Sequence, residues 1–414
     1  MKLLFVHQNF PGQYKHLALR FAADPRHQVV SVGERREERL AWLKEIKGLR
    51  HIAYDKPKGA SKTTHHYLHG FEAAVRRGQT VARIAMDLRK EGFVPDIVCA
   101  HPGWGESLFL KEIFPETKLL NYFEFYYRVT GSDVGFDPEF TPKVDEIFSV
   151  PMRNATQLQS LAVSDWGLSP TDWQRSQFPP AWRGMISVIH EGIDTRMVRP
   201  NPRAAFKLES AGLELTRADE VLTYVARNLE PYRGFHVFMR ALPAVLKRRP
   251  EARVLIVGGD EVSYGRKPEG GPTWREKLLK EVGPELDLER VHFLGKIPYL
   301  DFLRLLQVSS AHVYLTVPFV LSWSMLEAMA AGCLVVGSRT APVLEVMQDG
   351  VNGLLVDFLS PGAISERIVE ALETREGLGR LREQARRTVV ERYDLRSVCL
   401  PQHLALINTL VASR

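Results

Sequence analysis

A glutamate one turn into a short helix, two arginines on a loop upstream of it, and a histidine beside a Pro-Gly-x-Gly turn have the types and spacing for chemistry. The glutamate is Glu327, in Ser324-Met325-Leu326-Glu327-Ala328-Met329-Ala330-Ala331-Gly332. Ser324 followed by Glu327 fits a capping box and Gly332 a helix stop, which is reason enough for those residues without a ligand. The helix follows the apolar run 312–315, so its first turn falls at the carboxyl edge of a sheet. Free backbone N–H groups there favour a phosphate, and a carboxylate one turn in reaches a ribose hydroxyl pair. Arg227 and Arg233 stand on the loop after a strand, within Val225-Ala226-Arg227-Asn228-Leu229-Glu230-Pro231-Tyr232-Arg233-Gly234. Two cations at a strand end suit a diphosphate, although exposed loop arginines would read the same. Gly12, in Asn9-Phe10-Pro11-Gly12-Gln13 directly after the first strand, lets backbone approach a ligand closely or simply makes a Pro-Gly turn. This is not the Gly-x-Gly-x-x-Gly of a nicotinamide dinucleotide site. His101 ends strand 96–100 in Ala100-His101-Pro102-Gly103-Trp104-Gly105-Glu106, at an edge suited to lining a cleft; Glu106 suits a helix start.

These residues need elements to hold them. Short apolar runs alternate with longer helical patterns, as in parallel sheets wrapped by helices. In the first half strands are expected at 3–6, 28–32, 50–53, 96–100, 118–122 and 186–189, with helices at 13–23, 66–90 and 106–113. Segment 142–177 reads as helix, a buried turn near Val163-Ser164, and helix. Residues 194–202, with Pro200 and Pro202, have the composition of a linker. The alternation restarts with strands at 221–226, 253–257, 291–294, 312–315, 334–336 and 354–356. Helices are expected at 235–248, 299–308, 324–331 and 342–348, with two more closing the set. The class is therefore α/β, two doubly wound domains in series. Ligands in such sheets sit at the carboxyl ends of strands.

Bulk properties agree with a soluble globular chain: 45% hydrophobic and 25% charged residues. No run approaches the roughly 20 apolar residues of a membrane span, and the apolar 1–6 stops too early for a signal-peptide core. Cys99, Cys333 and Cys399 offer neither a disulfide framework nor metal spacing, so a cytoplasmic location is expected. The net charge of +6 is uneven, because residues 20–90 carry 16 Lys+Arg against 8 Asp+Glu. That excess suits an anionic partner, including peripheral contact at the inner face of a membrane, or merely a solvated basic face. No aromatic-basic interleaving accompanies it, so no nucleic acid is expected. No Asp-x-Asp pair stands at a strand end. His65 and His69 have metal-pair spacing on a helix but no acidic support, and no metal is assigned.

Residues 325–336 resemble the nucleotide-sugar segment of family 4 retaining glycosyltransferases with the GT-B fold, the glycosyl transferases of group 1. That family has two glutamates eight positions apart; here the first position holds Phe319, in Val317-Pro318-Phe319-Val320-Leu321-Ser322-Trp323. The resemblance implies that Glu327 binds the donor ribose and that the loop Phe319, Val320, Leu321 and Ser322 faces the donor sugar through its backbone. It assigns the diphosphate to Gly12, Arg227, Arg233 and the backbone at Leu326, with Arg233 where the family has Lys. Lys296 and Ile297 match the main-chain contact to the nucleobase, and His101 matches a histidine that positions donor sugar and acceptor. Ser187-Val188-Ile189-His190-Glu191-Gly192-Ile193-Asp194 resembles the family's hinge strand. Asn121, Tyr122, Glu124, Tyr126, Tyr127 and Arg128 follow another strand end; Glu124, Tyr126 and Arg128 are acceptor candidates, and aromatic packing is the plainer alternative.

The implied architecture is GT-B: an acceptor-side Rossmann-like domain at 1–194 and a donor-binding one at 195–392, facing across a cleft, with a final helix 393–414 packing back on the first. The implied function is metal-independent transfer of a sugar from a UDP- or GDP-sugar to an acceptor hydroxyl. Retention of configuration is expected, and the setting is bacterial-type glycan, lipid or natural-product glycosylation. The nucleotide sugar is a co-substrate, and no separate cofactor is expected. Two rivals share the fold: a nucleotide-sugar epimerase, and a nucleotide-sugar-binding protein without activity.

Overall fold

The computed structural model describes residues 1–271, 273–374 and 377–413. The chain divides into two compact units. One comprises Met1–Gly135, Phe140–Gly192 and the segment from Arg396 onward; the other comprises Phe136–Glu139 and Ile193–Leu395.

The first unit is built on seven parallel strands: β1 (Lys2–Val6), β2 (Gln28–Glu34), β3 (Leu49–Tyr54), β4 (Ile97–Ala100), β5 (Lys118–Tyr122), β6 (Trp166–Ser169) and β7 (Ile186–Val188). Their order in the sheet is β3-β2-β1-β4-β5-β6-β7. Helices cover both faces, so strands such as Leu3-Leu4-Phe5-Val6 are unbroken apolar runs, at most 1% exposed. Strand order reverses between β1 and β4, which run in register from Leu3↔Ile97 to Val6↔Ala100. Residues 7 and 101 therefore leave the sheet side by side at its switch point. Strand β6 replaces the buried turn expected near Val163-Ser164, and the helix expected over 106–113 is shortened to Leu110–Ile113. The helix Leu400–Ala412 buries Ile407 and Leu410 in this unit's core, beside Leu17 and Phe21.

The second unit opens with a two-stranded antiparallel hairpin, β8 (Ala205–Leu208) and β9 (Leu213–Thr216). Its parallel sheet holds β10 (Val221–Asn228), β11 (Arg253–Gly259), β12 (Val291–Gly295), β13 (Ala311–Tyr314), β14 (Val335–Ser338) and β15 (Leu354–Val356), in the order β12-β11-β10-β13-β14-β15. The switch point lies between β10 and β13. The helix Phe235–Arg248 turns Phe235, Phe238, Leu242 and Val245 inward at the three- and four-residue spacing of one helix face. Arg386 fastens this unit's inner end by donating to the backbone oxygens of Thr195, Val198 and Ala330.

Candidate active site

Two polar centres occupy the two switch points, one in each unit.

In the second unit, Arg227 is the penultimate residue of β10 rather than a loop residue; it is exposed, with no ion-pair partner among the described residues, and the chain turns inward at buried Asn228. Glu230 is 1% exposed. Its Oε1 accepts the N–H of Ser263 (3.1 Å), and its Oε2 accepts those of Tyr264 (3.1 Å) and Gly265 (2.9 Å). This carboxylate thus holds the loop that follows β11. Next comes a single turn, Pro231–Arg233, and then Gly234 at φ +67°. A Cβ on Gly234 would meet Leu315 Cβ at 2.4 Å, so this close approach of backbone requires glycine.

Arg233 differs sharply from Arg227. It is buried, and its Nη1 donates to Thr316 Oγ1 (2.9 Å), to the carbonyl of Val320 (3.0 Å) and to Tyr314 Oη (3.3 Å). Its guanidinium also lies 5.6 Å from the centre of the Tyr264 ring. One of the two expected cations is therefore free at the strand end, while the other holds the loop after β13 in shape.

That loop is apolar where the family pattern expects a carboxylate. Phe319 is 4% exposed and packs edge-on to Tyr232 (5.6 Å between ring centres) and obliquely on Tyr264 (4.9 Å). Val320 and Leu321 are buried as well. The amide of Ser322, one of those expected to face a sugar, donates instead to Tyr314 Oη at 2.8 Å. The helix spans Trp323–Ala330, and its N-cap is Ser322, accepting from the Ser324 amide, so the cap lies two residues before the expected Ser324. Leu326 packs in the core. Glu327 sits part-exposed one turn in, where Tyr299 Oη donates to its Oε1 at 2.6 Å. Lys296 is exposed, 3.9 Å from Glu261, and Ile297 packs against the core.

In the first unit, His101 follows β4 and is 3% exposed. Its Nδ1 accepts the Gly103 amide at 3.2 Å, so the neutral ring carries its proton on Nε2. Among the described residues Nε2 has no hydrogen-bond partner, and it stands 3.5 Å from Glu124 Oε2. The ring stacks between Trp104 (4.6 Å) and Tyr122 (5.6 Å).

His7, which sequence reasoning missed, follows β1 with the same tautomer. Its Nδ1 accepts the Asn9 amide (2.9 Å), and its Nε2 donates to Gln13 Oε1 (2.7 Å). Gln13 in turn donates to Glu124 Oε1 at 3.0 Å. Burial, with the nearby His101, pushes the pKa of His7 well down, so it stays neutral. Gly12, at φ +46°, fits against this ring: a Cβ there would lie 2.5 Å from His7 Nε2.

Of the acceptor candidates, only Glu124 joins this centre. Tyr126 packs on Phe178, in a core with Leu161 and Ile186, and Arg128 is exposed. Glu106 is not a surface helix-start charge. It is fully buried, accepts from Tyr54 Oη at 2.7 Å, and has its pKa raised by desolvation. The histidines considered as a metal pair are engaged elsewhere: His65 accepts the Tyr67 amide and His69 contacts the Thr64 carbonyl. Among the described residues no helix is long and apolar enough to cross a membrane.

Two family models match the chain, the glycosyl transferase family 4 group over residues 25–198 and the glycosyl transferases group 1 over residues 209–388. The chain belongs to these family 4, group 1 glycosyltransferases. Among curated relatives, the D-inositol 3-phosphate glycosyltransferase of Corynebacterium urealyticum is 28% identical over 193 residues, covering 46% of this chain and 43% of the relative. That of a Nocardioides species is 30% identical over 217 residues, covering 49% and 44%. The match thus spans less than half the length of these relatives. Among solved structures, Anabaena HepE in complex with UDP and glucose aligns with TM-score 0.68 at 17% identity, over 99% of both chains. Sucrose-phosphate synthase of Thermosynechococcus elongatus aligns with TM-score 0.71 at 15% identity, over the whole of both. The fold is GT-B, with two Rossmann-like α/β units.

Proposed function

We propose that this protein transfers a sugar from a nucleotide-sugar donor to an acceptor hydroxyl, with the nucleotide held on the second unit. The observation that carries this reading is the placement of Glu327 beside the switch point of a doubly wound sheet. There it shares one edge with Arg227, Arg233 and a helix start capped by Ser322. Glu327 takes the ribose hydroxyls, and main chain near Lys296 and Ile297 takes the base. Arg227 and the amides near Leu326 take the diphosphate, and Arg233 supports them by holding the loop after β13. UDP is the favoured nucleotide, because the fold relative HepE was solved with UDP and glucose.

The acceptor belongs to the first unit, at His101 and Glu124, where a buried ring N–H and a carboxylate oxygen lie 3.5 Å apart. A hydroxyl between them accepts from one and donates to the other. The departing diphosphate, offset by arginine and amide dipoles, takes up the acceptor proton, and anomeric configuration is retained. The relatives named for D-inositol 3-phosphate make cyclitol phosphates the first acceptors to try. The basic stretch 20–90 supports contact with an anionic membrane face, and vesicle co-sedimentation tests it.

The test of the donor reading is nucleotide binding. Thermal-shift and calorimetric titration with UDP, GDP and ADP finds one that stabilises the wild type. Glu327→Ala weakens it by roughly 1–3 kcal/mol, as for losing a charged hydrogen-bond partner. An unchanged affinity would reduce Glu327 to a structural residue. Nucleotide binding without turnover of any sugar nucleotide would overturn the transfer reading.

A further inference from the structure

Tyr299 opens the helix Tyr299–Val308 directly after Lys296, Ile297 and Pro298. Its hydroxyl donates to Glu327 Oε1 at 2.6 Å, a short bond of the charge-assisted kind. The contact joins residues 28 apart on two different helices.

Tyr299 is 46% exposed, and among the described residues Phe302 is the aromatic neighbour of its ring, at 5.8 Å. Desolvation of the hydroxyl, together with the charge of Glu327, raises the phenol pKa. The hydroxyl therefore remains a donor at every working pH. A part-exposed glutamate on a helix has three rotatable side-chain bonds. A fixed donor on Oε1 narrows that freedom before a ligand arrives and so lowers the ordering cost of binding.

We propose that Tyr299 is the positioning residue for Glu327, aiming its carboxylate at the ribose hydroxyls and tying ribose recognition to the turn that carries the base. The inference rests on the donor reading above. It predicts a dependence that a core tyrosine would lack: removing only the hydroxyl of Tyr299 changes how well the protein tells ribose from deoxyribose.

The experiment titrates wild type, Tyr299→Phe, Glu327→Ala and the double variant with UDP and with 2′-deoxy-UDP, by calorimetry. GDP or ADP with its deoxy counterpart is used if that nucleotide is the one bound. Tyr299→Phe should bind the ribonucleotide roughly 3- to 10-fold more weakly, the net loss expected for one ordinary hydrogen bond. Its preference for ribose over deoxyribose should shrink, and the double variant should be no weaker than Glu327→Ala alone. Equal melting temperatures of wild type and Tyr299→Phe confirm that the loss is not unfolding.

An unchanged ribose preference in Tyr299→Phe, with Glu327→Ala still losing it, overturns the role of Tyr299 and leaves the donor reading standing. If Glu327→Ala also keeps the preference, the donor reading fails. If the wild type binds none of the three nucleotides, both fall together.

Discussion

Gly12→Ala puts the first unit's polar centre to a quantitative test. Gly12 sits at φ +46°, where an L-residue is strained by roughly 1–2 kcal/mol. Its new methyl would also lie 2.5 Å from His7 Nε2 and 2.6 Å from Cε1, and must retreat to the 3.4 Å at which ordinary contact begins. The ring has nowhere easy to go. Tyr14, His101 and Trp104 hem it in, and Asn9 and Gln13 hold its two nitrogens. Overpacking against such a fixed group costs about 1–3 kcal/mol more, so the sum is roughly 2–5 kcal/mol. Gly92→Ala is the matched control. Its φ is +84°, and nothing stands within 4 Å of the added Cβ, so only the backbone term remains. Urea unfolding midpoints at constant m measure both. In a His7→Ala background the clash is gone, and Gly12→Ala should cost no more than Gly92→Ala does. Equal losses for the two glycines in the wild type, or an undiminished loss without His7, would refute the reasoning.

Two further outcomes concern the second unit. Glu230→Gln swaps one carboxylate oxygen for an amide donor facing the backbone N–H groups of residues 263–265. It should destabilise the unit by roughly 2–3 kcal/mol and expose loop 260–266 to protease; an unchanged cleavage pattern would show that the loop is held by something else. His312 is fully buried, and desolvation pushes its pKa down to about 3. The unfolded chain takes up its proton near pH 6.5 while the folded one does not, so stability is present above that pH and falls as pH drops from 6.5 toward 3. The slope is about 1.4 kcal/mol per pH unit for this residue, and unfolding midpoints at pH 7.5, 6.5 and 5.5 should flatten in His312→Asn.

Elements with a strong period were legible in the sequence to the residue. The helices Phe235–Arg248 and Tyr299–Val308 carry apolar side chains at three- and four-residue spacing and are flanked by Gly234 and Pro298, so pattern and boundary agree. Strand β6 was not legible. Trp166-Gly167-Leu168-Ser169 is short and lacks a β-branched run. Gly167 is there because a Cβ would strike Ile186 and Phe123 at 2.8 Å, a reason that exists only once the neighbouring strand is in place. The cap of Trp323–Ala330 was misread because Ser322 and Ser324 both fit the pattern, and only geometry chooses between them.

The candidate sites divide the same way. Arg227 could be found because it stands at the carboxyl end of an apolar strand run, and Glu327 because it lies in the first turns of a helix bounded by serine and Gly332. The link from Gln13 to Glu124 spans 111 residues, and no spacing rule reaches that far. His7 was overlooked as the ordinary end of an apolar strand. Tyr126 follows β5 and suits either an acceptor contact or aromatic packing; Phe178 and Leu161, distant in sequence, close a core around it and favour packing.

Phe319 carries the main departure from the family pattern, and its surroundings say what the departure entails. A carboxylate at that position would be buried between Tyr232 and Tyr264, at a desolvation cost of several kcal/mol unless paired. Arg233, which bonds the neighbouring Val320 carbonyl, already donates to Thr316 and Tyr314 as well. The one fully buried carboxylate of this region, Glu230, is turned the other way to hold Tyr264 over Phe319. Phenylalanine, aromatic lid and buried glutamate therefore form one consistent set, and restoring a glutamate at 319 alone would leave its charge without a partner. The loop after β13 therefore offers a ligand main-chain groups and no carboxylate of its own.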